Sequence, residues 1–230
     1  MFYVTIITGD FMNKLNTILF DLDGTLIDTN EIIIKSFEAV FQEHFPSISL
    51  SRNKILTFIG PTLYETFGHY TKDPFKMEAM VQSYRKYYRE NEFQFFKIYP
   101  GVIDTLKELK DQGYNLGIVT SKYKDAAWPS FTYYNLNEVF DVFIALDDIK
   151  APKPNKEPVL KALKQFDNVQ KAIMIGDNKG DILAGKNAGI YSAGVSWSLK
   201  GSSHLMEESP DFMLKDMNDI FRIIKLVEEE

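Results

Sequence analysis

The sequence predicts an α/β fold: a Rossmann-like parallel sheet with a helical domain inserted near its start. Three observations carry this. Six short apolar runs alternate with helical stretches, the pattern of strands buried on both faces and joined by crossover helices. Residues 29–98 break that alternation, with helical patterns and no convincing strand. Acidic and hydroxyl residues sit where the runs end, the edge at which open parallel sheets place their ligands.

The first run, residues 16–20 (NTILF), ends in Asp21-Leu22-Asp23-Gly24. Residues 115–120 (NLGIVT) form the second and end in Thr120-Ser121-Lys122. The third is 142–146 (VFIAL), and the fourth is 172–175 (AIMI), which ends in Gly176-Asp177. Residues 192–195 (SAGV) and 212–214 (FML) supply the fifth and sixth. Between them, residues 101–110 place Val102, Ile103, Leu106 and Leu109 at helical spacing, with Pro100 before and Gly113 after. A helix over 157–166 has Pro158 near its start, and one over 181–188 stops at Gly189. Residues 217–227 make an amphipathic last helix. Pro129 falls in the helix expected after the second strand, where an N-cap at Asp125 would put it in the first turn.

The insert opens with Asp28 and Glu31 as a capping box, then Ile34, Phe37, Val40 and Phe41 on one face. Asp73-Pro74 opens a second helix through Met77, Met80, Val81, Tyr84, Tyr87 and Tyr88, and Pro61 starts a third. The aromatic series Tyr84, Tyr87, Tyr88, Phe93, Phe95 and Phe96 reads as packing within the insert, as does Trp197 in the core. The expected division is a core of 1–28 and 99–230 around an inserted domain of 29–98.

Composition narrows the function. The chain has 230 residues, 45% hydrophobic and 25% charged, ordinary for a soluble globular protein and unlike disordered or fibrous chains. Cys is 0, which removes disulfides, thiolate metal sites and a cysteine nucleophile. A net charge of −6 supplies no global basic field for nucleic acid. The apolar stretch 2–8 falls far short of the roughly 20 residues a membrane span needs, and no basic region or cleavage signature marks residues 1–11 as a signal peptide. That segment is expected to be an extra edge strand or an extension ahead of a start at Met12. Cytoplasmic residence is the expectation. His44, His69 and His204 lack ligand-like spacing and read as structural or solvated.

Asp21 and Asp23 flank one residue and precede Gly24-Thr25-Leu26. A glycine turn at a strand end lets both carboxylates face one site, although an isolated D-x-D-G also forms surface Asx turns. In this context DLDGTL at 21–26 resembles motif I of the haloacid-dehalogenase superfamily phosphatases. Thr120 in GIVTSK resembles motif II, Lys153 in KPNKEP motif III, and GDNKGD at 176–181 motif IV, with Asp177 and Asp181 as its acidic pair. The motifs occur in the family's order, and the resemblance covers nearly the whole chain from Thr17 onward. Residues 29–98 resemble the helical (C1) cap of that superfamily.

The resemblance implies an aspartyl-phosphate enzyme. Asp21 would be the nucleophile and Asp23 the acid that protonates the leaving oxygen and then activates water. Thr120 and Lys153 would stabilise the phosphoryl oxygens, within a cradle that takes in Leu22, Gly24, Ser121 and Lys122. Crowded carboxylates repel by about 4 kcal/mol per pair at 4 Å and an effective dielectric near 20, and Mg²⁺ is the cation that hard oxygen ligands and a phosphate favour. The family pattern puts the Asp21 carboxylate, the Asp23 carbonyl and Asp177 on that metal, with Asp181 beside them holding water or Lys153.

The cap would choose the substrate. FIGPTLYETFG at 58–68 is the candidate loop over the nucleophile, shaped by Gly60 and Pro61. It resembles the subgroup of phosphoglycolate phosphatases and, more closely, bacterial pyrophosphatases, as do EPVLKALK, DILAGKNAG, AGVSW and PDFML. Lys156 stands where relatives often have Pro. The expected substrate is a small phosphorylated metabolite, pyrophosphate first and phosphoglycolate second. Lys122, Arg52, Lys54, Arg85 and Arg89 are available to a second phosphate. A phospho-acceptor receiver domain also gathers Asp, Thr/Ser and Lys around Mg²⁺, but the insert, the D-x-D spacing and the motif order argue against it. A monomer or homodimer without nucleic-acid or membrane partners is expected.

Overall fold

The protein is described here by a computed structural model covering residues 14–229. Residues 1–11, expected as a strand or extension, lie outside the described residues. The chain opens with β1 (Leu15–Phe20), β2 (Ile27–Asp28) and α1 (Asn30–His44). It continues through α2 (Arg52–Leu56), α3 (Leu63–Phe67), α4 (Pro74–Asn91) and β3 (Lys97–Ile98). Then follow α5 (Val102–Asp111), β4 (Asn115–Val119), α6 (Lys124–Tyr133) and β5 (Val142–Ile144). The last part holds α7 (Glu157–Leu163), β6 (Lys171–Gly176), α8 (Lys179–Ala188), β7 (Tyr191–Val195), α9 (Ser202–Met206), β8 (Phe212–Leu214) and α10 (Asp219–Glu228).

The six apolar runs form one parallel sheet, in the order β5-β4-β1-β6-β7-β8. β1 is central, with Phe20 level with Ile118 of β4 on one side and Ile175 of β6 on the other. Strand connections run outward in opposite directions from β1, so the switch point lies between β1 and β6. Alternation along β1 serves both faces. Leu19 joins Val119, Met174, Val159 and Ala184 beneath α7 and α8. Ile18 and Phe20 point the other way, into a core shared with Leu106 of α5 and Ile220 and Ile224 of α10.

That second core continues into the insert. Phe37 of α1 meets Phe58, Phe67 and Tyr84 at ring separations of 5.2, 5.8 and 4.8 Å. Tyr84, Tyr88 and Phe96 are buried as packing residues, whereas Phe93 is mostly exposed.

Several local expectations need correction. Residues 29–98 do contain a strand: Ile27 and Asp28 pair antiparallel with Ile98 and Lys97 at the neck of the insert. Two residues are too few to show a period. The Asp28–Glu31 capping box does not form, because Thr29 is the N-cap of α1 and makes no side-chain cap bond. Asp28 Oδ1 instead accepts from the Asn30 backbone N–H at 3.2 Å and its Nδ2 at 2.9 Å, and Glu31 pairs with Arg52. Pro61 precedes α3, which is capped by Thr62 and Glu65. Pro129 lies inside α6, since that helix begins at Lys124 rather than after Asp125. Trp197 packs against Tyr99 with tilted rings 5.7 Å apart, and its Nε1 also donates to the Thr25 carbonyl at 3.2 Å, pinning the turn after β1. Among the described residues, no helix is long and apolar enough to cross a membrane.

Phe37 is 2% exposed and central to the aromatic core of the insert. Phe37→Ala should cost about 3–5 kcal/mol, read as a lowered urea midpoint; an unchanged midpoint would show that the insert's aromatic core does not depend on this ring.

Candidate active site

The site lies at the carboxyl ends of β1, β4 and β6. Asp21 N–H donates to the Ile175 carbonyl at 2.9 Å, which carries the β1–β6 ladder one residue past the strand. The chain then turns at once. Gly24 N–H donates to the Ile27 carbonyl at 2.8 Å, and the N–H groups of Leu26 and Ile27 both reach the Leu22 carbonyl. Gly24 holds φ +81°, and a Cβ there would lie 2.3 Å from Asp177 Oδ2. Only glycine satisfies both the turn and the approach of β6's aspartate.

Asp177 follows β6 and is 3% exposed. Its Oδ1 accepts from Asn178 Nδ2 at 3.0 Å, and its carbonyl accepts from Ser198 Oγ at 2.8 Å. Asp181, in the first turn of α8, is 1% exposed. One oxygen from each of Asp21, Asp177 and Asp181 lies within 4.8 Å of the others. Lys153 Nζ enters this cluster from the loop before α7. It touches Asp21 Oδ1 at 2.7 Å, Asp181 Oδ1 at 2.5 Å and the Val119 carbonyl at 2.8 Å.

The charges do not balance: of three clustered buried carboxylates, Lys153 pairs with Asp21 and Asp181, and Asp177 has no ion pair among the described residues. Burial pushes Asp21 up to about 7, with Lys153 opposing and Asp181 and Asp23 adding to the rise. Burial also drives Asp177 well above the usual carboxylate range, reinforced by Asp21 and Asp181. For Lys153, burial favours discharge, but the Asp181 and Asp21 carboxylates prevail and hold it charged. A set of hard oxygen donors with surplus negative charge fits a divalent cation. Asp181 is the least free to ligate, because its Oδ1 holds Lys153 and its Oδ2 accepts from Asn178 N–H at 2.9 Å.

Asp23 stands apart from this cluster. Its Oδ1 accepts from Thr29 Oγ1 at 2.7 Å and from Lys122 Nζ at 2.8 Å. Lys122 Nζ also donates to Tyr88 OH on α4 at 2.6 Å, so one lysine ties the core to the insert. Thr120 is buried at the end of β4, where its N–H donates to the Ile144 carbonyl at 2.9 Å and its Oγ1 accepts from Lys122 N–H at 3.2 Å.

Other expected residues separate into two groups. Leu22 and Gly24 are buried in the turn beside Asp177, and Ser121 is half-buried next to Thr120. Gly60 approaches the site, since a Cβ there would lie 3.0 Å from Asn178 Oδ1, whereas Pro61 is exposed. Of the available cations, only Lys122 is held at the site. Arg52 pairs with Glu31, Lys54 lies over Phe58, Arg85 lies over Tyr123 and Arg89 is exposed. His44 bonds Ser83 at 3.0 Å, and among the described residues no histidine joins a metal-like cluster. Sequence reasoning missed Thr29, Tyr88, Asn178 and Lys200. Asn178 sits inside the GDNKGD motif, and Lys200 follows a strand end, so both signals were present.

A parallel sheet thus gathers buried aspartates, a lysine and a threonine at its switch point, and similarity to known proteins makes the chain a hydrolase. The chain matches the haloacid dehalogenase-like hydrolase family over residues 18–195 and belongs to it. It is similar to Pyrophosphatase PpaX from Bacillus pumilus, with 44% identity covering 92% of this chain and 97% of that one. The PpaX of Bacillus cereus (strain ATCC 10987) is 43% identical over the same shares. Among solved structures, a predicted phosphatase from Clostridium acetobutylicum aligns with a TM-score of 0.79 at 26% identity, covering 93% of this chain and 99% of that one. A haloacid dehalogenase-like family protein from Streptococcus pneumoniae gives 0.77 at 28%, covering 91% and 98%.

The raised carboxylates predict a pH signature. The folded state holds protons that the unfolded state releases above the ordinary Asp value of 3.8, up to about 7 for Asp21. Stability of the metal-free protein should therefore fall as pH rises across that window. Mg²⁺ should raise the melting temperature more at pH 8 than at pH 5, and Asp177→Asn should flatten the metal-free profile. Equal Mg²⁺ stabilisation at both pH values would contradict the charge imbalance.

Proposed function

We propose that this chain is a Mg²⁺-dependent phosphohydrolase that acts through an aspartyl-phosphate on Asp21, with pyrophosphate as its main substrate. The observation that carries this is the buried Asp21–Asp177–Asp181 cluster held by Lys153. The 44% identity to a pyrophosphatase over 92% of the chain supports the substrate. Mg²⁺ would be held by the Asp21 carboxylate, the Asp23 carbonyl and Asp177, and when bound it supplies charge neutralisation for phosphate and carboxylates.

The protein's own groups account for the rest. Asp21 is fixed by the ladder bond to Ile175 and by Lys153, which orients it for in-line attack on phosphorus. The P–O bond to the leaving phosphate breaks as the Asp21–phosphorus bond forms. Thr120 Oγ and Lys153 Nζ would contact the phosphoryl oxygens and stabilise charge on them. Asp23 has its Oδ1 held by Thr29 and Lys122, while Oδ2 has no partner among the described residues. That oxygen is placed to give a proton to the leaving phosphate and then to take one from the water that hydrolyses the acyl phosphate. Helices α1–α4 act as a cap, with the Gly60 loop against the site.

The test is phosphate release by purified protein from pyrophosphate, phosphoglycolate, sugar phosphates and nucleotides. Pyrophosphate should be the best substrate by kcat/KM, and a clear lead for phosphoglycolate would overturn the substrate assignment. Asp21→Asn should lower kcat by about a thousand-fold or more while the protein stays folded. Near wild-type turnover in that variant would sink the nucleophile assignment.

A further inference from the structure

Among the described lysines that follow the strand ends around Asp21 and Asp177, Lys122, Lys153 and Lys179 have carboxylate partners. Lys122 pairs with Asp23, Lys153 with Asp21 and Asp181, and Lys179 with Glu207 and Glu208. Lys200 differs. Its Nζ donates to the Ile59 carbonyl in the cap loop and to Asn178 Oδ1 at 3.0 Å. Among the described residues, no carboxylate lies within ion-pair distance of it. It is half-buried, and burial pulls its ammonium below the ordinary lysine value although Asp177 and Asp181 oppose this. A desolvated cation held only by two neutral oxygens lacks a counter-charge.

Its location says where that charge would come from. Asn178, which Lys200 grips, adjoins Asp177 and donates to it. Gly60 closes the same corner with φ +112°, and a Cβ there would lie 3.0 Å from Asn178 Oδ1 and 3.7 Å from Lys200 Nζ. The glycine keeps the cap loop from filling the space beside the ammonium. We propose that Lys200 binds the non-transferred anionic group of the substrate and so selects substrates with a second negative centre. Given the pyrophosphatase reading, on which this rests, that group is the leaving phosphate. Lys200 then exchanges a neutral carbonyl for a phosphate oxygen, a stronger charge-assisted hydrogen bond.

The test uses Lys200→Met, Lys200→Gln and Lys200→Arg, each checked for an intact melting transition. Gln retains a donor for the Ile59 carbonyl but no charge, which separates a loop anchor from an anion site. The readout is the ratio of kcat/KM for pyrophosphate to that for p-nitrophenyl phosphate, which has no second anion. The ratio should fall ten-fold or more in Lys200→Met and Lys200→Gln, chiefly through KM for pyrophosphate, and recover in part in Lys200→Arg. Calorimetric affinity for imidodiphosphate should weaken ten-fold more than that for inorganic phosphate. Equal losses on both substrates would make Lys200 a cap-loop anchor and overturn the proposal, as would an unchanged ratio. If the wild type prefers phosphoglycolate, the pyrophosphate reading fails, and the ratio of phosphoglycolate to p-nitrophenyl phosphate tests Lys200 separately.

Discussion

Three carboxylates buried around one ammonium set the terms for the rest of this molecule. Asp21, Asp177 and Asp181 converge where water is largely excluded, and Lys153 offsets only part of their charge. Left alone, such a cluster favours proton uptake, because burial and mutual repulsion push Asp21 and Asp177 upward. A protonated Asp21 is a poor nucleophile. In the proposed mechanism a cation that restores its charge would turn a local instability into reactivity, tying stability, metal binding and chemistry to one electrostatic imbalance.

The fold supplies the rigidity that this imbalance demands. β1 is bonded on both sides, to β4 and β6, so Asp21, Thr120 and Asp177 start from adjacent, fixed strand ends. The Gly24 turn leaves no space between β1 and Asp177 for any side chain. Asp181 reaches back from α8 to bond the Asn178 N–H and Lys153 together, so helix start, loop and cation are set by one residue.

The six sheet strands were legible in the sequence because burial on both faces leaves continuous apolar runs. Asp21, Thr120 and Asp177 were legible because they end those runs, and Lys153 because its motif lies in register with theirs. The β2–β3 ribbon was not, since two paired residues carry no periodicity. The role of Glu31 was misread because a long-range partner, Arg52, outcompeted the local cap. Lys200 follows a strand end, but its contact with the Ile59 carbonyl, 141 residues away in the chain, is what sets it apart from other lysines. Contacts between cap and core are set by tertiary geometry, and local pattern does not encode them.

Lys122 and Lys200 show how the core reaches the insert from two corners, one through Tyr88 and the other through the Ile59 carbonyl. The Asp21 carboxylate follows the central strand β1, and the proposed chemistry depends on it. The most direct measurement is rapid acid quench of a reaction with ³²P-labelled pyrophosphate, followed by peptide mapping. Catalysis through Asp21 predicts hydroxylamine-labile label on the peptide bearing that residue when Mg²⁺ is present and its loss under EDTA. Turnover with no label on that peptide, or equal labelling with EDTA, would contradict it.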